Sequence, residues 1–124
     1  MDIEMKKILI VDDEPNIVMS LEYTFKKQGY EVFIARDGSE ALEILESNIP
    51  DVIILDVMMP KVDGYQTIKV IKENEKLADT KVVFLSAKNK ASDIQQGLNL
   101  GADKYILKPF SLKKLVSEVS ELLG

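Results

Sequence analysis

Apolar residues along this chain fall into five short runs, each followed by a stretch in which they return every three or four positions. The first run, Lys7-Ile8-Leu9-Ile10-Val11, is rich in β-branched residues and reads as a strand. Asp13-Glu14-Pro15 then opens a helix, with acids at its positive end and proline at or near the first helical position. Ile17, Leu21 and Phe25 follow at i, i+4 and i+8 with Val18 beside them, one apolar stripe that Gly29 terminates. Glu31 to Ala35 reads as the second strand, and Ala41, Leu42 and Leu45 mark a helix stopped before Pro50. Val52 to Asp56 is the third strand, and Ile68 and Ile71 carry the third helix. Lys81 to Ser86 is the fourth strand, followed by a helix around Ile94 to Leu100 that Gly101 closes. Lys104 to Leu107 is the fifth strand, and a last helix runs from about Leu112 to Leu123 behind the N-cap Ser111. Five β-α units without a linker or repeat predict an α/β fold. Strands apolar at nearly every position belong in a parallel sheet covered on both faces.

Composition narrows the chemistry. At 124 residues the chain has the usual length of one domain, and 46% hydrophobic with 30% charged residues is globular rather than disordered composition. Its wholly apolar runs are about four residues long, as in Val52-Ile53-Ile54-Leu55, against the ~18 of a membrane span. Met1-Asp2-Ile3-Glu4-Met5-Lys6-Lys7 lacks the apolar stretch of a signal peptide, so a soluble cytoplasmic protein is expected. There is no Cys, hence no disulfide, thiolate nucleophile or thiolate metal site; there is no His, hence no imidazole base or zinc-type ligand. A net charge of −5 and a single arginine, Arg36, argue against direct nucleic-acid binding, and nothing suggests a membrane partner. Reactivity must rest on carboxylates, hydroxyls, lysines and hard cations.

Such residues stand at the strand ends. Asp12 and Asp13 follow strand one, Asp56 closes strand three, Ser86 closes strand four and Lys108 follows strand five. Open parallel sheets bind ligands at the carboxyl ends of their strands, where the connections reverse direction. With strands one and three adjacent, three carboxylates converge, each pair at ~4 Å costing roughly 4 kcal/mol at an effective dielectric near 20. Deleting Asp12 or Asp13 is therefore expected to stabilise the metal-free protein. Mg²⁺ would relieve the repulsion, since it takes oxygen ligands and bridges to phosphate. A carboxylate beside Mg²⁺, a lysine and a hydroxyl is suited to accept a phosphoryl group. Each residue also has a plainer role: Asp12-Asp13 as helix-dipole partners, Asp56 as a turn starter, Asp63-Gly64 and Lys108-Pro109 as turns. Only their shared end of one sheet favours chemistry, and that depends on strand order.

At these positions the sequence resembles the receiver domains of two-component response regulators, including the single-domain chemotaxis type. The likeness runs from about Lys7 to Leu123 and is carried by motifs in order. They are Ile10-Val11-Asp12-Asp13-Glu14, Leu55-Asp56-Val57-Met58-Met59-Pro60, Asp63-Gly64, Leu85-Ser86-Ala87-Lys88, Gly101-Ala102-Asp103-Lys104-Tyr105 and Lys108-Pro109-Phe110. Spacings of 43 residues from Asp13 to Asp56, 30 on to Ser86 and 22 on to Lys108 are those of the family. The resemblance implies a single receiver domain over residues 1–124 with the flavodoxin-like (βα)5 fold, strand order 2-1-3-4-5. It implies Asp56 as phosphoacceptor, and Asp13, Asp56 and the Met58 backbone carbonyl as Mg²⁺ ligands, with Asp12 acting largely through water. It makes Lys108 the partner of the phosphoryl oxygens, Ser86 and Tyr105 the switch pair, Ala87 the small residue Tyr105 passes, and Lys108-Pro109 a cis peptide. A sensor histidine kinase or histidine phosphotransfer protein would supply the phosphoryl group. A downstream protein or effector domain would read the face built by the fourth helix, fifth strand and fifth helix. No turnover beyond the protein's own phosphorylation and dephosphorylation is implied.

Two departures stand out: Val62 where the family usually has Met or Leu, and a last helix without the Glu-Leu and following Arg of receivers that dimerise through that face. An aspartate-nucleophile phosphohydrolase would want a second carboxylate two residues after Asp56, where Met58 stands. A flavin module would want a Ser/Thr/Gly-rich loop in place of Asp12-Asp13-Glu14. The alternative that remains is a receiver-like scaffold that works without phosphorylation.

Overall fold

In the computed structural model, which describes residues 5–59 and 62–124, the five apolar runs form one parallel sheet. The strands are β1 (Lys7–Val11), β2 (Glu31–Ala35), β3 (Val52–Leu55), β4 (Lys81–Ser86) and β5 (Lys104–Leu107), in the order β2-β1-β3-β4-β5. The helices are α1 (Pro15–Lys27), α2 (Gly38–Ser47), α3 (Gly64–Glu73), α4 (Ala91–Asn99) and α5 (Leu112–Leu123). The order is the flavodoxin-like one expected from the sequence. Pro60 of the Leu55–Pro60 motif, and the first four residues of the leader reading, lie outside the described residues.

Alternation along each strand splits the core into two layers. Leu9, Val11, Ile53, Leu55, Val82 and Phe84 face α2 and α3, meeting Ala41, Leu45, Ile68 and Ile71. Ile8, Ile10, Val52, Ile54, Val83 and Leu85 face the other way, onto Leu21 and Phe25 of α1 and Leu115 and Val119 of α5. Burial on both faces is why these strands are apolar throughout; a fully buried Leu, Ile or Phe contributes roughly 1.5–3 kcal/mol.

Local chemistry sets the helix ends. Pro15 starts α1, and Gly29 at φ 93° follows its C-cap, Gln28. Asp37 caps α2 by accepting the Glu40 N–H at 2.8 Å, and Asp63 and Gln66 form a reciprocal capping box on α3. Ser111 accepts the Lys114 N–H at 3.2 Å, as expected of the α5 cap.

Two boundaries and one added turn differ from the sequence reading. β3 ends at Leu55, one residue early, although the Asp56 N–H still donates to the Val11 carbonyl. α4 begins at Ala91 rather than near Ile94, because its first turn is polar and exposed and carries no apolar period. A 3₁₀ turn at Glu75–Leu77, with Asn74 as its cap, bridges α3 and β4 and buries Leu77.

Candidate functional site

Strand register brings the strand-end residues together. Val11 stands opposite Leu55, so Asp12 and Asp56 emerge side by side at the carboxyl edge. Each is locked by one further backbone bond, Asp12 N–H to the Ala35 carbonyl at 3.1 Å and Asp56 N–H to the Val11 carbonyl at 3.0 Å. Asp13, one residue on, is exposed at the rim. One carboxylate oxygen from each of Asp12, Asp13 and Asp56 can be chosen so that all lie within 4.8 Å of one another.

Asp12 is 2% exposed and Asp56 4%, so both charges need compensation. Lys108 supplies it. Its backbone N–H donates to the Ser86 carbonyl at 2.9 Å, extending the β4–β5 ladder, and it precedes a cis bond to Pro109. From there Nζ reaches Asp12 Oδ2 at 2.9 Å, Glu14 Oε1 at 3.1 Å and Asp56 Oδ2 at 3.3 Å. The other oxygens are occupied too: Asp12 Oδ1 accepts the Glu14 N–H at 2.9 Å and Asp56 Oδ1 the Met58 N–H at 3.2 Å. Asp12 is therefore no mere source of repulsion: it holds both Lys108 and the entry to α1. Of the two aspartates after β1, only Asp13 keeps the expected gain on deletion.

Gly64 completes the frame. A β-carbon there would collide with the Asp56 carbonyl oxygen and lie 2.8 Å from Val57 Cα. Its N–H donates to the Val57 carbonyl at 2.9 Å, so the start of α3 lies directly on the backbone of Asp56.

Electrostatics follow from this packing. Burial, then the neighbouring Asp12 charge, push the Asp56 carboxyl above its ordinary range, outweighing Lys108 and the Met58 N–H, which pull it down. Burial lowers the Lys108 ammonium, but the bond to Asp12 and the charges of Asp56 and Asp12 more than restore it, leaving it above the usual lysine value. Asp56 is thus an aspartate whose charge is under-compensated by the protein alone.

A cavity of about 330 Å³ opens beside it, lined by Asp13, Glu14, Asp56, Met58, Ala87 and Lys108. The carboxylates of its lining are hard oxygen donors, the kind Mg²⁺ takes. Met58 presents its backbone beside Asp56 while its side chain is 57% exposed. Ser86 is buried at the end of β4 and its Oγ accepts the Lys88 N–H at 3.2 Å. The Tyr105 hydroxyl donates to the Lys88 carbonyl at 2.9 Å, so in this structure it already reaches the β4–α4 connection. Pro109 is exposed and lines a groove with Glu14, Ile17, Ala87, Lys108 and Phe110.

Of the sequence-chosen residues, Asp12, Asp13, Asp56, Met58, Ala87 and Lys108 gather around this crevice, and Ser86 ends the strand beside it. Tyr105 instead stands two residues back in β5, its hydroxyl bonded to the β4–α4 connection, and Pro109 lines the neighbouring groove. Sequence reasoning missed Glu14 as a third partner of Lys108, its acid having been assigned to the helix dipole. Tyr65 was missed as well, hidden behind the Asp63-Gly64 turn signal.

The arrangement can hold a hard dication against a reactive carboxylate, with a lysine and a hydroxyl to receive phosphoryl oxygens. The family model for the response regulator receiver domain matches residues 8–120. The alkaline phosphatase synthesis transcriptional regulatory protein PhoP of Bacillus subtilis is 43% identical over 118 residues, 95% of this chain and 48% of PhoP. The chain spans about half the length of the curated relatives it matches. Among solved structures, chemotaxis response regulator CheY4 of Vibrio cholerae superposes with a TM-score of 0.90 at 32% identity, covering 96% of this chain and 99% of CheY4. The BeF3-activated DrrB receiver domain superposes at 0.88 and 31% identity, covering 97% and 98%.

Proposed function

The chain belongs to the response regulator receiver domain family, the signal-receiving part of two-component systems, and on that premise we propose that Asp56 is its phosphoacceptor. The observation that carries the assignment is the buried Asp56 carboxylate, held beside Asp12 and Asp13 with Lys108 reaching in from the end of β5. A phosphohistidine on a sensor kinase or phosphotransfer protein is the donor. An Asp56 oxygen attacks the phosphorus in line, the O–P bond forms, and the donor P–N bond breaks with its electron pair returning to the imidazole. Mg²⁺, held by Asp13, Asp56 and the Met58 carbonyl and reached by Asp12 through water, would neutralise the carboxylates and the charge on the transferring oxygens. Lys108 exchanges its bond to Asp56 Oδ2 for one to the new phosphoryl group while Asp12 and Glu14 keep the ammonium aimed. Ser86 donates its hydroxyl to a second phosphoryl oxygen, which draws the β4–α4 connection, and Tyr105 with it, toward the site.

The output is a change of the α4–β5–α5 face, read by a downstream protein or an effector domain. PhoP is named a transcriptional regulatory protein; for this chain, whose net charge is −5, the contact we propose is with protein rather than nucleic acid. The protein works in the cytoplasm; among the described residues no helix is long and apolar enough to cross a membrane. It turns over no substrate other than its own aspartyl phosphate.

Intact mass after incubation with acetyl phosphate and Mg²⁺ tests this. A gain of one phosphoryl group is expected, absent in EDTA. An unchanged mass under both conditions would contradict it in favour of a phosphorylation-independent scaffold.

A further inference from the structure

α4 is the least anchored helix of the fold. Its one fully buried residue is Gly97, whereas α1 and α5 each bury two large side chains, and Lys90 at its N-cap offers no side-chain bond. Gly97 rides directly on two rings: a β-carbon there would lie 2.9 Å from Tyr105 Cδ2 and 3.0 Å from Phe84 Cδ2. With so little apolar burial, the polar contacts at its start weigh heavily in fixing where it sits.

Two of those contacts are tyrosine hydroxyls. Tyr105 donates to the Lys88 carbonyl at 2.9 Å, just ahead of α4, and Tyr65 donates to the Asp93 carbonyl at 2.9 Å, inside its first turn. Tyr65 is 9% exposed and meets Phe84 edge-on, with ring centroids 5.6 Å apart; Phe84 in turn lies 5.7 Å from Tyr105. Lys88 Nζ sits 5.9 Å over the Tyr65 ring and 4.0 Å from Asp93 Oδ1, closing the cluster on its open side. Burial first, then the neighbouring Tyr105, raise the Tyr65 phenol well above its ordinary range, so it stays a donor throughout the physiological span. Tyr65 also adjoins Gly64, which rests on the Asp56 backbone.

We propose that Tyr65 is a positioning residue for α4: its hydroxyl and that of Tyr105 form a two-point latch on the start of the helix. Tyr65 carries the state of the Asp56 backbone to α4 through Gly64, while Tyr105 carries that of the β4–α4 connection. Movement of α4 then requires both bonds to be remade, and neither tyrosine alone sets its place.

Tyr65→Phe removes the hydroxyl and keeps the ring against Phe84. Amide exchange in the unmodified protein should rise about fivefold at Ile94 to Gly97, the scale of one lost hydrogen bond, and stay level in β1 and β3. The Tyr65→Phe, Tyr105→Phe double variant should exceed the product of the two single effects. Unchanged exchange at Ile94 to Gly97, an equal rise through β1 and β3, or a double effect equal to the product would each overturn the latch. A second arm rests on the phosphoacceptor reading and uses beryllofluoride with Mg²⁺ as a phosphoryl mimic. Tyr65→Phe should still bind it, with an affinity shifted a few-fold as the reciprocity of the coupling requires, yet show less than half the wild-type change in α4 exchange; a full change would overturn the coupling. Failure of beryllofluoride to bind the wild type would count against the acceptor assignment, and the first arm would still decide the latch.

Discussion

Replacing Asp56 by Asn removes a buried charge while keeping the shape and one acceptor oxygen. Asp56 Oδ1 takes the Met58 N–H and Oδ2 takes Lys108, so the amide keeps one of these bonds and gives up the other. The like-charge term from Asp12, with carboxylate oxygens no more than 4.8 Å apart, is about 3.5 kcal/mol or more at an effective dielectric near 20. Asp13 adds a similar nominal term, discounted to about 1 kcal/mol because it is exposed and screened. Against these stands the Lys108 contact at 3.3 Å, nominally about 5 kcal/mol but divided among three carboxylates. Coulomb terms thus nearly cancel, and the desolvation of Asp56 decides the sign. The variant should be more stable in EDTA by about 1–2 kcal/mol, roughly 4–8 °C in melting temperature for a domain of this size.

The pH dependence has a definite direction. A carboxyl raised in the folded state binds its proton more tightly there than in the unfolded chain. Its penalty is absent below the unfolded value of ~3.9 and grows as pH rises through the folded one. The melting-temperature gap between variant and wild type should therefore close at low pH and be fully open at pH 7. Mg²⁺ should shrink or reverse it, because mass action favours the wild-type site. Thermal melts at pH 3.5 and 7, with EDTA or Mg²⁺, read all four corners. An Asn variant that melts below wild type in EDTA at pH 7 would refute the reasoning.

Lys108→Met leaves Asp12 and Asp56 facing each other without a cation and should cost about 3 kcal/mol in urea unfolding, partly recovered by Mg²⁺. Gly64→Ala forces the start of α3 off the Asp56 carbonyl; a loss of about 1–3 kcal/mol is expected, with slower uptake of phosphoryl from acetyl phosphate. Met58 and Lys88 line one open cavity with Asp13 and Tyr65, and neither offers a side-chain acceptor strong enough to orient an attacking water. Introducing Met58→Asn with Lys88→Glu should speed decay of the phosphorylated protein, followed by phosphate release, while an unchanged lifetime would remove these side chains from the hydrolysis step.

What was legible in the sequence was whatever periodicity or strand-end placement records. The strands announced themselves because residues such as Ile8 to Val11 are buried on both faces, and their order put Asp12 and Asp56 side by side. The start of α4 was not legible, since Ala91-Ser92-Asp93 carries no apolar period and is fixed by tertiary bonds. Nor was the difference between Asp12 and Asp13, adjacent and chemically alike. Backbone direction alone turns one inward onto Lys108 and leaves the other at the rim. Glu14 and Tyr65 were hidden for a related reason: each already had a sufficient local role, as dipole partner and as neighbour of a turn. Their second roles depend on residues 94 positions away for Glu14 and 28 for Tyr65.

The central claim is that the side chain of Asp56, and no other carboxylate in the crevice, takes the phosphoryl group. An acyl phosphate is reduced by borohydride to the corresponding alcohol, so a phosphorylated aspartate is read afterwards as homoserine. Protein treated with acetyl phosphate and Mg²⁺, reduced and digested should carry homoserine at position 56, with Asp12 and Asp13 intact. Homoserine at position 12 or 13, or its formation at the same level in an Asp56→Asn variant, would contradict the assignment.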